Sequence, residues 1–241
     1  MFPTFSLFLI VCSLLSFSFT YWATPWFIRY LRKIGLVVHD MNKKDRPLVT
    51  ISGGLAVFSG FFVAMMLFIF LFVFVGKYVE DLNLLQLFAG LMSIFIITLI
   101  GFLDDLVISS SKNISIGLKQ WQKPLLTLGA AVPLMAVTAG VDTMLVPFFG
   151  HVNFGLIYPL LLIPLGVVGA SNMVNMLAGF NGMETGMALV NIGMLGLYGY
   201  MHERPIAALI ASLLFFALLA FYIFNKYPAQ ILPGDSLTYL L

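Results

Sequence analysis

Charged residues are scarce in this 241-residue sequence, and their scarcity argues against a soluble domain. Asp, Glu, Lys and Arg make up 9% of the residues, 61% are hydrophobic, and the mean hydropathy is +1.05. Soluble domains carry about 25% charged residues. The composition therefore predicts a polytopic membrane protein. Its apolar stretches are continuous rather than alternating, which favours membrane helices over a β-barrel.

Several chemistries lack the residues that they need. The single cysteine, Cys12, cannot form an internal disulfide, and we expect it to be a small packing residue. The three histidines do not have the spacing of a zinc site. Neither a Walker A lysine loop nor a GxSxG motif is present, so ATPase and serine-hydrolase functions have no support. No nucleic-acid partner is expected.

The sequence predicts an all-α fold, a polytopic membrane helical bundle with about seven complete transmembrane helices and the start of an eighth. About 20 apolar residues cross a bilayer. By that measure the spans are 5–28, 53–75, 84–103, 124–141, 155–175, 187–201 and 205–225. The eighth begins at Ser236. In the short sixth span, Gly193, Gly196 and Gly199 are expected to allow close helix packing.

Basic residues fall mainly on one side of this arrangement. That side receives ten of them: Arg29, Arg32, Lys33, Lys43, Lys44, Arg46, Lys112, Lys119, Lys123 and Lys226. The other side receives only Lys77 and Arg204. By the positive-inside rule, the first side is cytoplasmic and the N-terminus lies outside.

Four polar segments also fall on the cytoplasmic side. They are His39–Ser52, Asp104–Lys123, Asn172–Gly186 and Lys226–Asp235. Carboxylates, asparagines, lysines and glycines gathered beside hydrocarbon indicate chemistry on a phosphorylated substrate at the bilayer surface. The alternative is that these are ordinary solvated loops, with the basic residues of the first segment serving only to fix the topology.

Adjacent carboxylates end the third predicted span in the sequence GFLDDL. Neighbouring helical residues point about 100° apart, so we expect Asp104 and Asp105 to have different partners. Carboxylates near a helix C-terminus oppose the helix dipole, which suggests a functional reason for them. The alternative is a wet helix end with two solvated acids.

The segment NMVNMLAGFNGMETG combines amides with turn-forming glycines. Asn172 and Asn175 share a helix face, and Gly179 and Gly182 flank Asn181 in a predicted tight turn. Such groups suit hydrogen bonds to a nucleotide, or oxygen ligation of a hard cation. The alternative is that the asparagines cap a helix and the glycines only turn the chain.

Three further polar residues lie at predicted helix starts. Asp235 is either a helix N-cap or a metal ligand, and these roles are compatible. Lys119 and Lys123 flank Trp121 at the membrane interface, where their ammonium groups either reach lipid headgroups or point over the site. Lys123 is the better placed of the two for the site.

Taken in order, GFLDDL, NMVNMLAGFNGMETG and PAQILPGDSL resemble motifs of the polyprenyl-phosphate N-acetylhexosamine-1-phosphate transferases. The wording is similar to the UDP-GlcNAc–dolichyl-phosphate GlcNAc-1-phosphate transferase branch. Bacterial relatives have DGxDG where this chain has Ala178 to Gly182. The resemblance implies transfer of a sugar 1-phosphate from a UDP-sugar to a polyprenyl or dolichyl phosphate, with release of UMP. It also implies a requirement for Mg²⁺, with Mn²⁺ as a substitute.

The resemblance also implies roles for individual residues. Asn175 and Asp235 would hold the metal, Lys123 would contact the phosphates, and Asp104 and Asp105 would position the lipid phosphate or other polar groups. Asn181 would contact the uridine. The remaining substrate-binding candidates are Asn172, Gly182, Glu184 and Lys119.

The chain departs from the family pattern in three places. No lysine follows the Asp pair closely, and Ile51 takes the place of an acidic residue. Members of the family continue well past the position of Leu241, so we expect residues 1–241 to be a single integral-membrane domain that is incomplete at its C-terminus. The resemblance implies an archaeal or bacterial plasma membrane or the endoplasmic reticulum as the location, contact with membrane lipids, and is compatible with a homodimer.

Two other functions stay open at this point. A transporter or lipid-binding membrane protein also has broken helices and intramembrane polar residues, but its site usually lies at the membrane midplane rather than at one surface. The third hypothesis is an inactive fragment of the transferase that acts as a scaffold.

Overall fold

The computed structural model describes residues 3–76, 82–110, 117–138, 141–177 and 179–241. Lys77, Lys112 and Ala178, which entered the sequence analysis, lie outside these ranges. The described chain forms eight α-helices: α1 Pro3–Lys33, α2 Gly54–Phe70, α3 Leu84–Ser110, α4 Gln122–Val137, α5 Ile163–Met176, α6 Met183–Met201, α7 Pro205–Asn225 and α8 Asp235–Thr238. π-helical segments extend α2 over Leu71–Val75 and precede α5 over Tyr158–Leu162.

Five of the described helical segments are long and apolar enough to cross a membrane. They are Thr4–Lys33, Gly54–Val75, Leu84–Ile108, Tyr158–Met176 and Pro205–Asn225. The other two predicted spans are present as helices but are weaker candidates, because α4 has only 16 residues and α6 includes glycines and polar residues. The predicted class, a polytopic helical membrane protein, is confirmed.

Helix α3 extends farther than the sequence predicts. The predicted span ends at residue 103, whereas the helix continues to Ser110. Asp104 and Asp105 therefore lie inside a helix, and both side chains are fully buried. The alternative of two solvated acids at a wet helix end is wrong.

The glycines of α6 lie against α7, as predicted. A Cβ atom at Gly196 would come within 3.3 Å of the Ala211 side chain, and one at Gly199 within 2.9 Å of the Ala208 nitrogen. Small residues let the two backbones approach closely. The free thiol of Cys12 is buried in the main hydrophobic core, which confirms its packing role.

Two short antiparallel hairpins interrupt the helices, and the all-α prediction misses both. Strand β1, Val37–His39, pairs with β2, Leu48–Thr50, while β3, Thr143–Val146, pairs with β4, Gly150–Asn153. Strands of three or four residues are too short to give a clear alternating pattern. The first hairpin matters for the site, because its turn carries Asp40.

The short helix α8 is seated on glycines of α2 and α3. A Cβ atom at Gly54 or Gly101 would collide with the backbone around Asp235 and Ser236. The residue at the N-cap of α8 is Gly234, whose φ of +69° suits glycine. Asp235 is therefore the first residue of α8 rather than its N-cap, and its carboxylate has other partners.

Candidate active site

Lys123 joins two carboxylates that come from different helices. Its Nζ atom lies 2.7 Å from Oδ2 of Asp104 on α3 and 2.8 Å from Oδ2 of Asp235 on α8. Asp104 also accepts hydrogen bonds from the Tyr239 hydroxyl, at 3.3 Å, and from the Leu118 backbone N–H. The Lys123 ammonium therefore contacts the two carboxylates, although the sequence alone was equally compatible with a contact to lipid headgroups.

This cluster holds more negative than positive charge. Asp104, Asp105 and Asp235 lie together, and within the described ranges Lys123 is the cation paired with them. Burial, the hydrogen-bonded carboxyl of Asp104 and the charge of Asp105 raise the pKa of Asp235 to about 7. A cation bound here would offset that excess negative charge.

Asp105 holds the backbone of α8 in place. Its Oδ1 accepts from the Asp235 N–H at 2.7 Å, and its Oδ2 accepts from the Ser236 N–H at 3.2 Å and from the Ser52 hydroxyl at 2.8 Å. A Cβ atom at Gly234 would lie only 2.5 Å from this carboxylate. As predicted, the two neighbouring aspartates have different partners. Asp104 pairs with Lys123, whereas Asp105 binds the start of α8 and the Ser52 hydroxyl.

The two asparagines of α5 also differ in their contacts. Asn175 Oδ1 accepts from the Thr238 hydroxyl at 3.1 Å, three residues along α8 from Asp235. Asn172 lies one turn earlier and donates to the Thr127 hydroxyl on α4 at 3.1 Å and to the Val168 carbonyl at 2.8 Å. Asn172 therefore connects α5 to α4, whereas Asn175 lies beside Asp235.

Gly179 and Gly182 flank Asn181 just before α6, where the described residues 180–182 turn the chain as predicted. Gly182 has φ +79° and is the N-cap residue of α6, so a left-handed conformation is required there. The N–H of Gly179 donates to Oε1 of Glu184 at 2.8 Å. The asparagines next to these glycines do not cap the helix, since no side chain caps α6.

Asn181, at the tip of this turn, is held by the first hairpin. Its Nδ2 donates to Oδ2 of Asp40 at 3.0 Å, and its Oδ1 accepts from Nδ2 of Asn42 at 3.3 Å. Asp40 is fully buried and lies 3.1 Å from the ammonium of Lys43. Burial opposes ionisation, but the hydrogen bonds from Asn181, Asn42 and Lys43 outweigh it and lower the pKa of Asp40.

A cavity of about 270 Å³ opens between these groups. Most of the polar residues just described line this cavity, and so do the apolar residues Ile51, Phe180, Leu232 and Pro233. The polar members are His39, Asp40, Asn42, Asn175, Asn181, Glu184, Asp235 and Thr238. Contacts among all four polar segments of the sequence therefore converge on one region.

An apolar groove of about 370 Å³ lies among the apolar neighbours of Asp104 on α3 and the start of α4. Its walls come from α3, α4 and the segment between them, namely Ile100, Leu103, Leu106, Val107, Leu118 and Leu126. Leu118 is also the residue whose N–H binds Asp104. The charged cluster is therefore connected to both pockets, because Asp235 lines the polar cavity and Asp104 bonds to Leu118 of the groove.

Most of the sequence-predicted site residues come together in this region. Lys119 does not, because it is exposed just before α4, and its backbone N–H bonds to Gln122. Asn172 faces α4, and Asp105 supports α8. The predicted metal ligands, Asn175 and Asp235, line the same cavity.

The site also contains residues that are absent from the predicted set, among them Asp40, Asn42, Ser52, Thr238 and Tyr239. Asp40 and Asn42 belong to a polar segment that the sequence analysis singled out, but its mixed charges indicated topology more than binding. Tyr239 lies in an apolar run, where nothing in the local sequence marks a hydroxyl directed at a carboxylate.

The predicted metal site consists of an amide oxygen and a carboxylate. Within the residues that the structure describes, no three His, Cys, Asp or Glu side chains form a metal-binding group. Oxygen ligands suit a hard cation, and Mg²⁺ typically takes one or two carboxylates and completes its shell with water and substrate phosphates. The donor set and the excess negative charge both fit such a cation.

Comparison with known proteins agrees with this geometry. The family model described as "Glycosyl transferase family 4" matches residues 87–241. A protein of Saccharolobus solfataricus, named provisionally as a UDP-N-acetylglucosamine–dolichyl-phosphate N-acetylglucosaminephosphotransferase, is 34% identical over 230 residues, which are 95% of this chain and 66% of that protein. A protein of the same provisional name from Sulfolobus acidocaldarius is 30% identical over 234 residues, 95% of this chain and 66% of its own.

Bacterial relatives extend the comparison. The phospho-N-acetylmuramoyl-pentapeptide-transferase of Streptococcus equi subsp. zooepidemicus is 30% identical over 233 residues, which cover 94% of this chain and 68% of that protein. The chain thus spans about two thirds of the length of the curated relatives it matches. The resemblance seen in the three sequence motifs is confirmed: the chain belongs to glycosyl transferase family 4.

Proposed function

We propose that this protein transfers a sugar 1-phosphate, GlcNAc-1-phosphate by preference, from a UDP-sugar to a polyprenyl or dolichyl phosphate and releases UMP. One observation carries the proposal: the Asp104–Lys123–Asp235 cluster is connected both to a polar cavity, which Asp235 lines, and to an apolar groove, whose Leu118 bonds to Asp104. A transferase that acts on a nucleotide sugar and a lipid phosphate needs a polar cavity for the first substrate and an apolar groove for the second. It also needs charged groups near the phosphates of both. The names of the archaeal relatives support the choice of substrates.

The reaction needs little covalent chemistry from the protein. An oxygen of the lipid phosphate attacks the sugar-linked phosphorus, the bond from that phosphorus to the bridging oxygen breaks, and the oxygen leaves with UMP. A phosphate monoester has its second pKa near 6, so the nucleophile is largely a dianion at neutral pH. We therefore assign no obligatory general base to Asp104.

Positioning and charge neutralisation account for most of the catalysis in phosphoryl transfer. An ammonium group has three N–H donors, and among the described contacts of Lys123 two carboxylates occupy two of them. A third donor can bind a substrate phosphate oxygen. Asp104 fixes the ammonium at that place, and Tyr239 in turn fixes Asp104.

Asn175 and Asp235 would hold the Mg²⁺ ion, or Mn²⁺ as a substitute, with oxygen atoms on one wall of the cavity. When bound, such an ion neutralises charge on the pyrophosphate. We propose that Asn181 reads the uridine base, since an amide offers both a donor and an acceptor to the base edge.

We further propose that the site faces the cytoplasm, because ten of the twelve basic residues belong to that side of the predicted topology. A host membrane of either predicted type, plasma membrane or endoplasmic reticulum, is compatible with it. A homodimer stays a prediction, to be checked by measuring the mass of the detergent-solubilised protein.

A reconstitution assay tests the proposal. The purified chain in lipid nanodiscs is given radiolabelled UDP-GlcNAc and a polyprenyl phosphate, with Mg²⁺ or with EDTA. We expect UMP and a labelled pyrophosphate-linked lipid with Mg²⁺, and neither with EDTA. Failure to form the labelled lipid with both substrates and Mg²⁺ would contradict the proposal, and UDP-sugar uptake into proteoliposomes would favour a transporter instead.

A further inference from the structure

A buried carboxylate oxygen of Glu184 has no partner in the described part of the protein. Glu184 is 5% exposed and lies in the first turn of α6. Its Oε1 accepts from the Gly179 N–H at 2.8 Å, while its Oε2 is buried without a hydrogen bond. Native proteins leave few buried polar groups unpaired, because each one loses its hydration without a replacement.

Glu184, which carries this unpaired oxygen, lines the cavity that Asn181 and Asp235 share. The other three unpaired atoms in the described residues are hydroxyl oxygens of Thr20, Thr50 and Ser93, and none of those residues lines this cavity. A role limited to the turn would explain the bond from Gly179 but would leave the second oxygen without a purpose.

The chemistry of this carboxylate oxygen limits the kinds of ligand group that it can bind. An ionised carboxylate only accepts hydrogen bonds, so it repels a phosphate and cannot match a uracil edge, which presents carbonyl oxygens beside its N–H. The amide of Asn181 suits that edge better. A ribose presents two neighbouring hydroxyl donors, and a carboxylate that accepts from a ribose hydroxyl is a recurring device in nucleotide binding.

We infer that Glu184 Oε2 binds a ribose hydroxyl of the uridine nucleotide in this cavity. This inference rests on the proposed function, since it takes the nucleotide from there. It adds an order to the cavity: the base lies near Asn181, the ribose lies at Glu184, and the phosphates lie towards Asn175 and Asp235. The chain would then distinguish ribonucleotides from deoxyribonucleotides through a single carboxylate.

Binding of UDP and of its 2′-deoxy and 3′-deoxy analogues tests this inference. Calorimetry in nanodiscs with Mg²⁺ is applied to the unmodified chain, to Glu184→Gln and to a matched control, Glu203→Gln. Glu203 follows the opposite end of α6, about 28 Å away at 1.5 Å per residue. Glu184→Gln retains an oxygen for the Gly179 N–H, so the turn is expected to persist.

We expect the unmodified chain to bind UDP about tenfold more tightly than one of the deoxy analogues, as a charged hydrogen bond implies. Glu184→Gln should weaken UDP by a similar factor and abolish the preference for that hydroxyl, while Glu203→Gln should leave both unchanged. Equal affinity of the unmodified chain for UDP and both analogues would overturn the inference, even if Glu184→Gln failed to fold. So would a Glu184→Gln variant that weakens all three ligands equally, which would point to the turn or to a cation.

The proposed function has a separate point of failure. If the unmodified chain bound no uridine nucleotide at all, the proposed function would fall together with the inference. If it bound UDP and its analogues without discrimination, only the role of Glu184 would fall.

Discussion

The site has two ends that are built in different ways. At the charged end, where we propose that the phosphates bind, Asp104, Lys123 and Asp235 come from three helices and meet as charges. At the amide end, where we propose that the nucleoside binds, Asn181 is held by Asp40 and Asn42 of the first hairpin turn. The helices hold three charged groups together although each of them is better hydrated in water. The turns present the neutral amide of Asn181, which a buried carboxylate holds in place.

This difference suggests a division of labour. The charged end is suited to stabilise charge that develops during phosphoryl transfer, and the amide end is suited to bind the nucleotide equally in the ground and transition states. Interactions of the first kind change kcat, and those of the second kind change mainly KM. Substitutions at the two ends should therefore separate these kinetic constants.

The largest effect is expected for Asp235→Asn. The change keeps the shape of the side chain but removes the charge that pairs with Lys123 and that the proposed metal needs. We expect kcat to fall by about 10²–10³-fold, with the loss only partly restored by excess Mg²⁺. The measurement is UMP release at saturating substrates, and unchanged kcat would disprove the metal assignment.

A second contrast lies within the charged end, between Asp104→Asn and Asp105→Asn. Asp105 accepts hydrogen bonds from two backbone N–H groups and from the Ser52 hydroxyl. In Asp105→Asn, the amide N–H group would face these buried donors and could not accept their hydrogen bonds. We expect Asp105→Asn to cost about 2–3 kcal/mol, or a thermal midpoint lower by about 5–10 °C. The buried carboxylate of Asp104 also accepts hydrogen bonds from three donors, so Asp104→Asn should lower the midpoint by a similar amount. It should lower kcat by more than Asp105→Asn does, and the reverse order of kcat would exchange the two roles.

At the amide end, Asp40→Asn should raise KM for the UDP-sugar. The carboxylate of Asp40 accepts from Asn181 and so fixes the direction of that amide. We expect KM to rise about tenfold with kcat within about threefold, which corresponds to one charged hydrogen bond. Asp45→Asn, an exposed aspartate of the same hairpin, is the matched control. A fall in kcat with KM unchanged would place Asp40 in the chemistry instead.

The sequence was sufficient to predict the charged end. Apolar runs end or begin at Asp104, Lys123 and Asp235, and the one-sided distribution of basic residues predicts that these helix ends share a membrane face. Long helices leave a strong signal because their apolar length is set by the bilayer. The membrane therefore made the convergence of distant residues predictable without an alignment.

The amide end was only half predictable. Asn181 and Glu184 stood out beside glycines, but Asp40 and Asn42 did not stand out from a loop of mixed charge. The partner of a turn residue depends on how two loops meet, and no periodicity carries that information. The same limit applies to Tyr239 and to the extension of α3 past Asp105. The apolar run of α3 ends at residue 103, but buried contacts made by the two aspartates accompany the helix beyond that point.

The smallest effect is expected for Lys119→Ala, and it sharpens the comparison between two lysines only four residues apart. Lys123 pairs with two carboxylates, whereas Lys119 is exposed ahead of α4. Water and salt screen the charge of an exposed ammonium, so its interaction with the site is weak. UMP release should therefore change by less than about twofold. Lys123→Ala, by contrast, should abolish most turnover. A tenfold loss in Lys119→Ala, with an unchanged thermal midpoint, would instead mean that substrate binding draws Lys119 into the site, as expected for the substrate-binding candidate that the sequence suggested.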